Sequence, residues 1–185
     1  MRVLGISGSL RRESHNRRLL LEAAELLPAG VEFEVFEGLK AVPPYDEDDD
    51  VEESPEAVVA LREAIAGADA VLIASPEYNG SVPGQLKNAI DWASRPRGEA
   101  ALLGKPVAVI GASTGSFGGV WGQAELRKVL GTAGARVVQN EVAVARAHER
   151  LEEHGRLVHD EHQAVLEALL EALLAEVRQP VAAAA

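Results

Sequence analysis

Three short segments carry residue types that could hold a cofactor. Residues 8–16 read G-S-L-R-R-E-S-H-N. A glycine that lets the chain turn tightly is followed by hydroxyls, backbone N–H groups and arginines at the expected start of a helix, and that combination binds phosphate. Ser9, Arg11, Ser14 and Asn16 could all donate to one phosphate group. The competing reading is a capped strand–helix corner with surface arginines. Residues 76–84 read P-E-Y-N-G-S-V-P-G. Proline and glycine fix the shape of this loop, so its backbone groups stand at set positions, and Tyr78 can supply an aromatic wall to a flat ring. Its plainer alternative is a rigid structural turn. Residues 112–122, A-S-T-G-S-F-G-G-V-W-G, hold enough glycine for the backbone to approach a ligand closely, or to make a mobile surface loop.

Other nucleotide signatures do not fit. The nearest string to a Walker-type loop, residues 98–106, has five residues between its glycines and a proline after Lys105. A dinucleotide fingerprint needs G-x-G-x-x-G, whereas the first turn reads Gly5-Ile6-Ser7-Gly8-Ser9-Leu10. What remains is a hydroxyl-rich loop suited to a terminal monophosphate. Each of the three segments follows a short apolar run, and in open parallel sheets ligands sit beyond the carboxyl ends of the strands.

The elements that must position these loops alternate. Strands are expected near residues 2–7, 31–36, 69–75, 106–112 and 135–145, and helices near 16–27, 55–66, 85–94, 119–133 and 160–178. This is the rhythm of a parallel sheet wrapped on both faces. In the first helix Leu19, Leu20, Ala23, Ala24 and Leu27 recur on one side; in the last, Leu166, Leu169, Leu170, Leu173, Leu174 and Val177 form a broad stripe. That stripe fits a core or a subunit contact. Residues 1–180 read as a single domain and residues 181–185 as a disordered alanine-rich tail.

Composition narrows the chemistry. At 185 residues and 47% hydrophobic the chain can bury one core, and with no cysteine it forms no disulfide and uses no thiol. A net charge of −11 argues against a nucleic-acid surface. Residues 46–53 hold seven acids and read as a solvated, partly mobile loop, whereas Arg11, Arg12, Arg17 and Arg18 crowd a basic spot. Of the five histidines, His159 and His162 are spaced like a metal pair, but no third ligand is evident, and no metal is expected. Without a leader or a membrane-length apolar run, the expected setting is the cytoplasm, away from membranes.

Taken together, G-S-L-R-R-E-S-H-N, P-E-Y-N-G-S-V-P-G-Q-L-K-N-A-I-D-W and A-S-T-G-S-F-G-G resemble the NADPH-dependent FMN reductase family, which includes quinone, chromate and azo-dye reductases. The likeness runs from Arg2 to about Ala145. It implies a flavodoxin-like fold, a five-stranded parallel sheet in the order 2-1-3-4-5 with helices on both faces. It implies that Ser9, Arg11, Ser14 and Asn16 hold the phosphate of FMN. Pro76, Glu77, Tyr78 and Asn79 would then line the flavin ring, largely through backbone groups, with Ser113 and Gly115 closing the other side. Arg12, Glu13 and His15 receive no role. The implied activity is hydride transfer from NADPH or NADH through FMN to a small acceptor such as a quinone, with no catalytic acid or nucleophile required. One rival is a reductase that delivers reduced flavin to a partner; another is a flavodoxin-type electron carrier. A homodimer or homotetramer is implied, with Trp92 and Trp121 expected near the site.

Overall fold

The computed structural model describes residues 1–51, 53–152, 156–158 and 160–179. Five parallel strands follow the order expected from the sequence: β2 (Glu32–Val35), β1 (Arg2–Ser7), β3 (Ala70–Ala74), β4 (Pro106–Ala112) and β5 (Arg136–Val137). A sixth strand, β6 (Val142–Val144), also pairs with β4. Order 2-1-3-4-5 is the flavodoxin-like winding, and it reverses direction between β1 and β3. Register is set by Val3↔Ala70 and Val71↔Val107. β3 and β4 are buried along their whole length, which is why they read as unbroken apolar runs. β2 lies at the edge and alternates, with Glu32 and Glu34 exposed and Phe33 and Val35 half-buried.

The single strand expected over residues 135–145 is instead two pieces. Gln139, Asn140 and Glu141 are exposed, and three consecutive polar groups cannot follow a ladder beside the fully buried β4. Glu141 turns outward to accept a hydrogen bond from Arg127 at 3.1 Å. The chain rejoins the sheet at Val142, opposite Ile110.

Helices α1 (His15–Glu25), α2 (Glu56–Ala66), α3 (Gly84–Ala93), α4 (Val120–Thr132), the short α5 (Ala147–Arg150) and α6 (Asp160–Arg178) cover both faces. Leu19, Leu20 and Ala23 of α1 pack with Leu166, Leu169, Leu170, Leu173 and Leu174 of α6 on one side of the sheet. Val58, Leu61 and Ile65 of α2 share the other side with Leu86 and Ile90 of α3 and Leu126 and Leu130 of α4. The leucine stripe of α6 is therefore core, and each such side chain contributes about 1.5–3 kcal/mol by leaving water.

Trp92 is a correction to the expected site. It falls on the inner face of α3 with Ala89, Ile90 and Ala93, is fully buried, and donates its indole N–H to the Pro43 carbonyl at 2.9 Å. In the acidic run Asp46, Glu47, Asp48, Asp49 and Glu53 are exposed, as expected of a solvated loop, and among the described acids of the run Asp50 alone is drawn inward. Asp50 accepts from Arg62 at 2.7 Å, and Arg62 in turn lies 5.6 Å from the Trp92 ring centre. The expected tail at 181–185 and His159 of the histidine pair fall outside the described residues; His162 meets Arg150 at 2.9 Å.

Candidate functional site

Gly8 closes β1 with its N–H donated to Ala74 O on β3 at 2.8 Å. An added Cβ there would lie 2.7 Å from Leu86 Cδ2, so a larger residue at this turn would require the Leu86 side chain to move. Beyond it the chain climbs to α1. Ser14 caps that helix, its Oγ accepting from Arg17 N–H at 3.3 Å, which leaves the hydroxyl proton free to donate. The backbone N–H groups of Leu10, Arg12 and Glu13 have no partner among the described residues, and Arg11 forms no ion pair there. Unused donors, a helix N-terminus and an unpaired arginine together suit a phosphate dianion.

The second loop is built by a two-residue hairpin. Tyr78 and Ser81 exchange backbone hydrogen bonds of 3.0 and 3.1 Å around Asn79 and Gly80, whose φ values are +55° and +75°. Asn-Gly is the pair that accepts this left-handed turn, so the motif fixes the loop outright. Tyr78 stands 52% exposed at its rim. The third loop is tied down by Ser113 N–H to Val144 O at 3.0 Å and by Gly115 N–H to Ser113 Oγ at 3.1 Å. Gly118 has φ +64°, and a Cβ there would sit 2.6 Å from the Ala143 carbonyl carbon. That glycine is required for the loop to lie against β6.

One cavity of about 290 Å³ brings the three loops together at the carboxyl ends of β1, β3 and β4, where the strand order reverses. Ser9, Arg11, Ser14, Asn16, Pro76, Glu77, Tyr78 and Ser113 all line it; Asn79 and Gly115 stand outside its wall. Two of the lining side chains, those of Asn16 and Glu77, tie distant elements together. Asn16 is 3% exposed, and its carboxamide both donates to Ala112 O and accepts from Ala112 N–H, each at 2.9 Å. It staples α1 to the end of β4. The Oε2 of Glu77 accepts from Gly122 N–H at 2.8 Å, capping the first turn of α4 with a carboxylate.

His15 and Thr114 line the cavity although the motif gave them no role. Burial, then Arg11, Arg18 and His148, hold the His15 imidazole below its usual 6.5, and its Nδ1 is enclosed with no hydrogen-bond partner. The first residue of a helix facing a cluster of arginines was the available signal. A larger cavity of about 630 Å³ lies between α3 and α4, away from all three loops. Among the described residues no group of three or more His, Asp or Glu could hold a metal, and no helix is long and apolar enough to cross a membrane.

A family model described as NADPH-dependent FMN reductase matches residues 1–149. An NAD(P)H-dependent FMN reductase of Pseudomonas aeruginosa is 43% identical over 180 residues, spanning 97% of this chain and 96% of the relative. A 2-hydroxy-1,4-benzoquinone reductase of a Burkholderia species is 37% identical over 179 residues, covering 96% and 97%. Among solved structures, the flavoenzyme NAD(P)H:(acceptor) oxidoreductase FerB of Paracoccus denitrificans superposes with a TM-score of 0.83 at 34% identity, covering 95% of this chain and 96% of that one.

Proposed function

The chain belongs to the NADPH-dependent FMN reductase family, and from that premise we propose that it is an FMN-dependent oxidoreductase passing reducing equivalents from NAD(P)H to a small acceptor such as a quinone. The observation that carries this reading is the convergence of a phosphate-binding loop and two ring-sized loops on one cavity at the switch point of the sheet. FMN, when bound, supplies the hydride chemistry. The chain's own part is to bind, orient and expose.

Arg11, the Ser9 and Ser14 hydroxyls and the free N–H groups of Leu10, Arg12 and Glu13 form the phosphate cradle, with the N-terminus of α1 behind them. Asn16 serves by holding that helix against β4. The 76–79 loop offers backbone donors from a fixed hairpin, with Tyr78 beside the ring position, and Ser113 faces it from the β4 side. Glu77 keeps the two ring loops at constant separation through Gly122. Open access beside Tyr78, 52% exposed at the cavity rim, favours an enzyme that admits successive substrates over a carrier with a closed ring. A cytoplasmic homodimer or homotetramer is part of the proposal, with the Phe117–Trp121 pair, ring centres 4.9 Å apart, as the apolar contact.

Arg11→Ala tests the cradle. Loss of one charge-assisted hydrogen bond should weaken FMN by about 1.5–3 kcal/mol while sparing riboflavin, which lacks the phosphate. Fluorescence titration of both flavins reads this directly, and equal weakening of the two would place Arg11 elsewhere.

A further inference from the structure

A second cavity, of about 330 Å³, lies on the opposite side of the β1–α1 loop, towards the end of β2. Ser9 and Arg11 belong to both cavities, so the two are separated only by that loop. Arg11, Arg12, Arg17 and Lys40 meet a single carboxylate, Glu37, in its wall, although the chain as a whole holds 29 acidic and only 18 basic residues. The carboxylate is already neutralised, because Arg17 donates to both its oxygens, one bond measuring 2.9 Å. Arg11, Arg12 and Lys40 form no ion pair among the described residues.

Lys40 does not hang from a free loop. It sits on the 3-10 turn Gly38–Ala41, anchored by buried Leu39, and Gln85 Nε2 donates to both Leu39 O and Val42 O at 2.8 Å. Half-buried Phe36 and buried Leu39 add an apolar side to the cationic rim. A lone phosphate does not need such a space; its volume is in the range of pockets that take small organic ligands, and its lining joins an apolar wall to unpaired cations.

We infer that this cavity is a second anion subsite, distinct from the flavin cradle, which takes the 2′-phosphate-bearing adenosine end of NADPH. Arg12 and Lys40 are then the residues that select NADPH over NADH, since the two donors differ only in that phosphate, a near-dianion at neutral pH that such cations bind well. The inference rests on the proposed function for its choice of ligand.

The test uses FMN-loaded protein, with 2′,5′-ADP and 5′-AMP as probes in calorimetric titrations, and kcat/KM for NADPH and NADH measured alongside. Wild type should bind 2′,5′-ADP about tenfold or more tighter than 5′-AMP, the factor one charge-assisted hydrogen bond supplies. Arg12→Ala and Lys40→Ala should each remove most of that margin and lower kcat/KM for NADPH about tenfold; Lys40→Ala, which lies outside the flavin cradle, should leave NADH turnover and FMN affinity unchanged, and Lys40→Arg should keep the margin. Equal binding of the two nucleotides would overturn the inference. Equal losses with NADPH and NADH would do the same, by reducing the cations to a general field, as would weakened FMN, by assigning them to the flavin phosphate. A wild-type protein that fails to bind FMN would overturn the flavin reading instead, and the nucleotide comparison on that protein would still decide the anion subsite.

Discussion

His15 shows how much of the site's electrostatics depends on single residues. Its ring sits where burial and the charges of Arg11, Arg18 and His148 all oppose protonation, so it is neutral at pH 7. Because its folded pKa lies below the usual 6.5, the unfolded chain takes up a proton in the window between those values that the folded chain refuses. Stability from this residue is complete above pH 6.5 and declines as pH falls through that window. NMR titration of the ring protons should give a His15 pKa below 6.5, and a phosphate bound in the cradle should move it upward by offsetting the arginines. A pKa at or above 6.5 in the flavin-free protein would refute the cationic enclosure. Sequence disclosed the arginines but not this enclosure, since His148 reaches the site only through the fold.

Loops and helices carry the next level of the account. Asn79 and Gly80 were legible because their left-handed backbone conformations favour those residue types. Asn16 was legible as part of the loop that lines the cavity but not as a staple, because its partner Ala112 lies 96 positions away. Trp92 lies in the core rather than at the site, on the inward stripe of α3 with Ala89, Ile90 and Ala93. The split between β5 and β6 was written in Gln139, Asn140 and Glu141, whose polarity outweighs the flanking valines. Glu77 belongs here too, since its carboxylate joins the 76–79 loop to α4. Glu77→Ala should lower stability by about 1–2 kcal/mol in thermal or denaturant unfolding, as expected for a lost charged cap, and should weaken FMN by letting the ring loops part. Glu77→Gln keeps an acceptor and should fall between. Unchanged unfolding and unchanged flavin affinity in the alanine variant would show that the cap does not hold the loops.

At the scale of the whole molecule, strand order decides where the chemistry sits. The reversal between β1 and β3 leaves a crevice at their carboxyl ends, and the loops after β1, β3 and β4 open into it. With the α6 leucines spent on the core, exposed apolar surface near the site concentrates in Phe117 and Trp121, the surface through which self-association is proposed. Sedimentation at micromolar concentration should give a multiple of the 19.6 kDa chain, and Phe117→Ser with Trp121→Ser should shift it toward monomer; a wild-type monomer would remove that claim alone. The central claim is that one exposed cofactor site serves donor and acceptor in turn. The direct measurement is an anaerobic titration of the FMN-loaded protein with NADPH and with NADH, followed by addition of a quinone. Loss of the flavin absorbance at one equivalent of nicotinamide, with no helper protein, and its full return on adding one equivalent of quinone are predicted. A flavin that neither nicotinamide reduces, yet which accepts electrons one at a time from a chemical reductant, would contradict the account and make the protein a carrier.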